Sequence, residues 1–101
     1  MAYKLGISLL TYNHFELTHM TLKSLYESIP MESDVILDIQ DDGSDELNKN
    51  YLKEFFTANS NGPFENVEVT FDCNKGLIKA RNESYERLLM QGCEYIAVIH
   101  N

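Results

Sequence analysis

A chain of 101 residues, 44% hydrophobic and 24% charged, suits one domain whose core needs no disulfide or structural metal. Sixteen acidic residues against eight basic ones give a net charge of −8, which argues against a nucleic-acid partner, because such binding rests on basic patches. Cys73 and Cys93 form no CxxC pair and three scattered His complete no zinc pattern, so two reduced, buried thiols are expected. No leader-like N-terminal pattern is present, and the apolar runs fall short of the roughly 20 residues of a membrane span. The expected location is cytoplasmic, at most peripheral at a membrane in the parent protein.

In chain order, Gly6–Leu10 (GISLL) is short, apolar and partly β-branched, which predicts a buried strand. Asn13 with Glu16 three residues on has the form of a capping box opening a helix. Leu22, Leu25, Tyr26 and Ile29 share one helical stripe, and Pro30 ends it. Val35–Ile39 (VILDI) predicts a second strand running into the turn-forming Asp41-Asp42-Gly43-Ser44. Ser44 is a candidate cap, with Asp45 and Glu46 suited to the positive end of the next helix. Leu47, Tyr51, Leu52, Phe55 and Phe56 give that helix its apolar face, and Asn59–Pro63 is a loop by composition.

Val67–Phe71 (VEVTF) alternates and predicts a third strand with one face less buried. After the turn at Asn74-Lys75-Gly76, Leu77–Met90 predicts a third helix. Ile78, Tyr85 and Leu89 form its stripe, Leu77 and Leu88 lie beside it, and Asn82 sits on it as a part-buried polar group needing a partner. Gly92 stops this helix, and Tyr95–Ile99 (YIAVI) is a fourth strand. The alternation predicts an α/β fold, a parallel sheet with right-handed crossovers and helices on both faces. A ligand site belongs at the carboxyl ends of such strands, and there the polar clusters fall: Thr11-Tyr12-Asn13, Asp41 to Ser44, Asp72 to Gly76, and His100-Asn101. A site between strands 1 and 4 requires the order 3-2-1-4.

Each cluster has a bland and a specific reading. In Asp41-Asp42-Gly43 one carboxylate can close the turn while the other accepts from a base N–H, such as uracil N3–H or the N1–H/N2–H₂ edge of guanine. An acidic turn-plus-cap is the commoner use of such a dipeptide. Tyr12 can stack on a base or simply cover the strand edge. Lys79 and Arg81 lie in the first turns of a helix, the end that disfavours cations, so Arg81 calls for an anion nearby, whereas Lys79 is expected in solvent. No GxGxxG, GxxxxGK[ST] or GxSxG motif is present, which argues against dinucleotide-binding, P-loop and α/β-hydrolase sites. An acidic pair after the second strand, not the first, argues against a phospho-receiver domain.

Together these segments resemble the family-two glycosyltransferases of the GT-A fold. The motifs are ISLLTYN at Ile7–Asn13, TL-x-SL at Thr21–Leu25, DDGS at Asp41–Ser44, N-x-G-x-x-x-A-R-N at Asn74–Asn82 and GCEYI at Gly92–Ile96. The resemblance covers nearly the whole chain, read as a single truncated domain over residues 1–101. It implies a three-layer Rossmann-like half that binds a nucleotide-diphosphate sugar. Thr11, Tyr12 and Asn13 border the nucleotide, Asp42 takes the base with Asp41 beside it, Gly76 permits close approach, and Arg81 with Asn82 lies near the ribose or diphosphate. Ser44 runs directly into Asp45 where the family reads DDGS-T-D, so the second helix is expected to start one residue early. His100 stands where the first Asp of the metal-binding D-x-D is expected. The resemblance implies Mn²⁺ or Mg²⁺ in the parent, and sugar transfer to an acceptor hydroxyl with inversion. The base for that transfer is expected beyond residue 101, so the isolated chain is expected to be inactive. The alternatives are a nucleotidyltransferase and a non-catalytic nucleotide-binding or scaffold domain.

Overall fold

The computed structural model describes residues 4–100, with the backbone alone at His100. Four strands alternate with three helices: β1 Leu5–Thr11, α1 Phe15–Ser28, β2 Val35–Asp42, α2 Glu46–Ala58, β3 Asn66–Asp72, α3 Leu77–Met90 and β4 Tyr95–His100. The strands form one parallel sheet in the order β3-β2-β1-β4, as right-handed crossovers and a site at the β1/β4 junction require. Pairing runs further than the apolar runs suggest. Thr11 lies opposite Asp41, and Asp42 opposite Asp72, so the polar strand ends are themselves held in the ladder. No helix of the described residues is long and apolar enough to cross a membrane.

The two faces of the sheet differ in chemistry. On one, Ile7, Leu9, Leu37 and Ile39 pack with Leu22 of α1 and Leu52 of α2. Tyr26, Phe55, Phe56 and Phe64 close that core, with Tyr26 edge-on to Phe55 and Phe64. The stripe predicted for α1 faces this way, and the extended backbone of Ile29 before Pro30 ends the helix. Leu47, expected on the apolar face of α2, instead points to solvent at its first turn.

On the other face the core is small: Ile36, Leu88 and Cys93, with Ile96 against them. The rest is polar. Asp38, 0% exposed in mid-strand, accepts from Arg87 Nε at 2.8 Å, Arg87 Nη2 at 2.9 Å and Ser84 Oγ at 2.6 Å. Ser84 also meets Ser8 across 2.6 Å, Arg81 Nη1 donates to the Ser8 carbonyl and hydroxyl, and Arg87 Nη2 donates to Gln40. This corrects the expected face of α3. Its buried residues are Ala80, Arg81, Ser84 and Leu88, whereas Ile78 is 77% and Leu89 60% exposed. Asn82 is likewise exposed. The reason is physical: a buried carboxylate and buried hydroxyls demand donors, so the helix turns its Arg and Ser side chains to the sheet and its aliphatic stripe outward. Of that stripe, Ile78 borders a hollow with Val98 of β4, which is also exposed.

Helix ends bring further corrections. The cap of α1 is His14, not Asn13; both have positive φ (52° and 51°), and no side chain caps the helix. The cap of α2 is Asp45, which accepts from the Asn48 N–H at 3.1 Å. The helix therefore begins at Glu46, and Ser44 serves the preceding turn. The end of α3 follows expectation: Gly92 at φ 85° donates to Leu89 O and Cys93 N donates to Leu88 O, a Schellman closure. Cys93 is buried as expected, but Cys73, just past β3, is exposed.

Candidate functional site

An open cavity of about 450 Å³ lies at the carboxyl ends of the strands. Leu10, Thr11 and Tyr12 line it from β1, His14 and Leu17 from the start of α1, Asp42 from β2, and Asn74, Gly76 and Leu77 from the β3–α3 connection. The acidic pair divides its work. Asp41, 0% exposed, accepts from Thr11 Oγ1 (2.9 Å), Ser44 N (2.9 Å) and Ser44 Oγ (2.6 Å), so it holds the turn and the end of β1 together. Asp42 lines the cavity; its Oδ1 accepts from the Lys75 backbone N–H at 2.9 Å. Among the described residues no hydrogen bond reaches its Oδ2, which remains an acceptor for a ligand donor.

Gly43, between Asp42 and Ser44, has φ 86°, and a Cβ there would lie 2.7 Å from the Asn74 backbone N. The turn after β2 and the loop after β3 thus touch at a point where only glycine fits. Gly76 has φ 90°, but a Cβ there would meet nothing within 4 Å. Its conformation requires glycine, and its position faces the open cavity.

Asn13 supports the rim. Its N–H donates to Ser44 Oγ at 2.7 Å, and its Oδ1 accepts from the Asp45 N–H at 2.9 Å. The residue read as a cap for α1 thus serves the end of α2. Tyr12 is 51% exposed at the mouth. Arg81 is drawn under α3 to Ser8, and with Asn82, Ile78, Leu77 and Val98 it borders a separate hollow of about 470 Å³. Of the expected nucleotide residues, the cavity therefore gathers Thr11, Tyr12, Asp42 and Gly76. Asn13 and Asp41 brace it, and Arg81 and Asn82 lie on the neighbouring hollow.

Besides Leu10 at the end of the predicted first strand, His14, Leu17, Asn74 and Leu77 line the cavity, none of them expected as a site residue. Asn74 carried a signal in its N-x-G motif. The other three are the first-turn residues and caps of α1 and α3, which face the strand ends in any parallel α/β sheet.

The helix ends set the electrostatics. The N-caps of α1 and α3, His14 and Gly76, both line the cavity, and neither helix has a side-chain cap. α3 carries no acidic residue in its first turn. α2, whose N-terminus is not among the lining residues, is capped by Asp45; hydrogen bonds from Asn48 hold that carboxyl below the usual carboxylate range. Two helices without a side-chain cap thus turn their N-termini and positive dipole ends to one cavity, with Glu16 in the first turn of α1 offsetting part of the field there.

The expected cation site centres on His100, whose side chain, like Asn101, lies outside the described residues. Among the described residues no group of three or more His, Cys, Asp or Glu side chains is placed to hold a metal. No protein-family model matches the chain, and no curated protein matches it.

Proposed function

We propose that the cavity binds a nucleoside diphosphate and that the chain is the donor-binding part of a nucleotide-sugar glycosyltransferase. The observation that carries this reading is the convergence of one carboxylate oxygen with no hydrogen bond among the described residues, on Asp42, with two N-termini lacking a side-chain cap on a single cavity. The carboxylate suits a base presenting N–H, that is uracil or guanine. The helix ends suit an anion, each contributing roughly 0.3–1 kcal/mol where exposed. Tyr12 at the mouth offers a face for stacking, and Gly76 leaves room for a ligand against the backbone. The motif resemblance over Ile7–Ile96 supplies the reaction: an acceptor hydroxyl displaces the nucleoside diphosphate from the anomeric carbon. No described residue is assigned as the base for that step.

The test is a titration of the ¹⁵N-labelled chain with UDP, GDP, ADP and CDP, followed by amide chemical shifts. UDP or GDP is expected to move the amides of Tyr12, Asn13, Asp42 and Gly76, and to do so more than ADP or CDP. Absence of any response at these residues, or one indifferent to the base, refutes the reading.

A further inference from the structure

We infer that Lys75 is a positioning residue: with Asp72 and Glu83 it forms a clamp that fixes the β3–α3 loop so that its main chain orients the Asp42 carboxylate toward the ligand. This rests on the nucleotide reading of Asp42.

Lys75 does not line the cavity; its backbone does the work there, donating to Asp42 Oδ1 at 2.9 Å. Its ammonium points away, to Asp72 Oδ2 at 2.5 Å and to Glu83 Oε1 and Oε2 at 2.9 and 3.0 Å. An ammonium has three donors, and three carboxylate oxygens take them. The Lys75 ammonium is therefore already engaged. The hydrogen bond from Lys75 holds the Asp72 carboxyl below its usual range, and Asp72, then Glu83, push Lys75 up.

The three residues come from different elements: Asp72 ends β3, Lys75 lies in the loop and Glu83 is in α3. Asp72 is also the register partner of Asp42, so the clamp closes immediately beside the carboxylate it orients. Part-exposed ion pairs of this kind add little to global stability. Their effect here is local, in a loop that also approaches the acidic turn at Asn74, against Gly43.

The test uses the 101-residue chain carrying Asp72→Asn with Glu83→Gln. Uridine and guanosine, which have no phosphate, are titrated beside their diphosphates, and hydrogen exchange of the Lys75 amide is measured. The clamp predicts roughly tenfold weaker nucleoside binding, near the lower end of what a hydrogen bond to a charged group contributes, together with faster exchange at Lys75. Bulk electrostatics predicts no change for the uncharged nucleosides and tighter binding of the diphosphates, since removing two negative charges favours an anion. Lys75→Gln is expected to match the double variant, and Lys75→Arg to restore binding. Unchanged nucleoside affinity with a still-protected Lys75 amide overturns the inference. A wild-type chain that binds neither nucleoside nor diphosphate overturns the nucleotide reading instead, and the amide exchange then tests the clamp alone.

Discussion

Replacing Arg87 by Met leaves Asp38 buried without its cation. Asp38 is 0% exposed and takes both guanidinium bonds, at 2.8 and 2.9 Å, so the variant keeps only the Ser84 hydroxyl as its partner. Gln40 Oε1 loses a donor at the same time, and its Nε2 already lacks a partner among the described residues. Breaking a buried pair costs about 3–5 kcal/mol because the remaining charge is uncompensated. The Arg87 side chain is 22% exposed, so water reaches part of the site and the loss should lie near the lower end. For a domain of this size that is a large share of a total stability of about 5–15 kcal/mol. Urea unfolding followed by circular dichroism measures it; with a slope of about 1–3 kcal/mol per molar, the midpoint should fall by roughly 1–3 M. Glu65→Gln, which breaks the exposed Lys4–Glu65 pair, is the control and should cost at most about 1 kcal/mol. An Arg87→Met loss no larger than the control would refute the account of the α3 face as a polar core held by one ion pair.

Asp41→Asn should destabilise the fold more than Asp42→Asn, because Asp41 accepts three internal hydrogen bonds and Asp42 one; equal unfolding midpoints would contradict this. Gly43→Ala should cost at least about 1–2 kcal/mol for its left-handed backbone alone, with a further penalty for the contact at Asn74, and a wild-type melting temperature would count against the turn geometry. Asp45 and Asp72 both have folded pKa values below the ordinary value of about 3.9. Their contribution is therefore complete above about pH 5 and is lost as the pH falls through the folded values, since the unfolded chain then binds more protons. Melting curves from pH 3 to 7 should show that decline and show it reduced in Asp45→Asn/Asp72→Asn; identical slopes would exclude these two carboxylates as its source.

The topology was legible because each element announces itself locally. GISLL, VILDI and YIAVI are too short and too β-branched for helices, and right-handed crossovers leave few ways to order four parallel strands. That one carboxylate of Asp41-Asp42 closes the turn was legible from their place before Gly43 at a strand end; which of the two does so was not, since it depends on Thr11 and Ser44 reaching Asp41. The inward face of α3 was not, because periodicity treats aliphatic residues as buried and cannot see that the sheet beneath offers Asp38, Ser8 and Gln40. The same blindness missed that Arg81 Nη1 donates to Ser8 beneath α3. Asn13 misled for a related reason: its spacing to Glu16 fits a capping box, but its oxygen is taken by the Asp45 N–H, a partner 32 residues away that no local pattern encodes.

The central claim is that Asp42 receives the base of a nucleoside diphosphate in the cavity between α1 and α3. Titration calorimetry of UDP and GDP into the wild-type chain, Asp42→Asn and Asp45→Asn tests it most directly. The account predicts that Asp42→Asn loses about 1.5–3 kcal/mol of binding, roughly ten- to a hundredfold in affinity, while Asp45→Asn, which alters only a helix cap outside the cavity, binds as wild type. Equal losses in the two variants, or no binding by the wild-type chain, would contradict it.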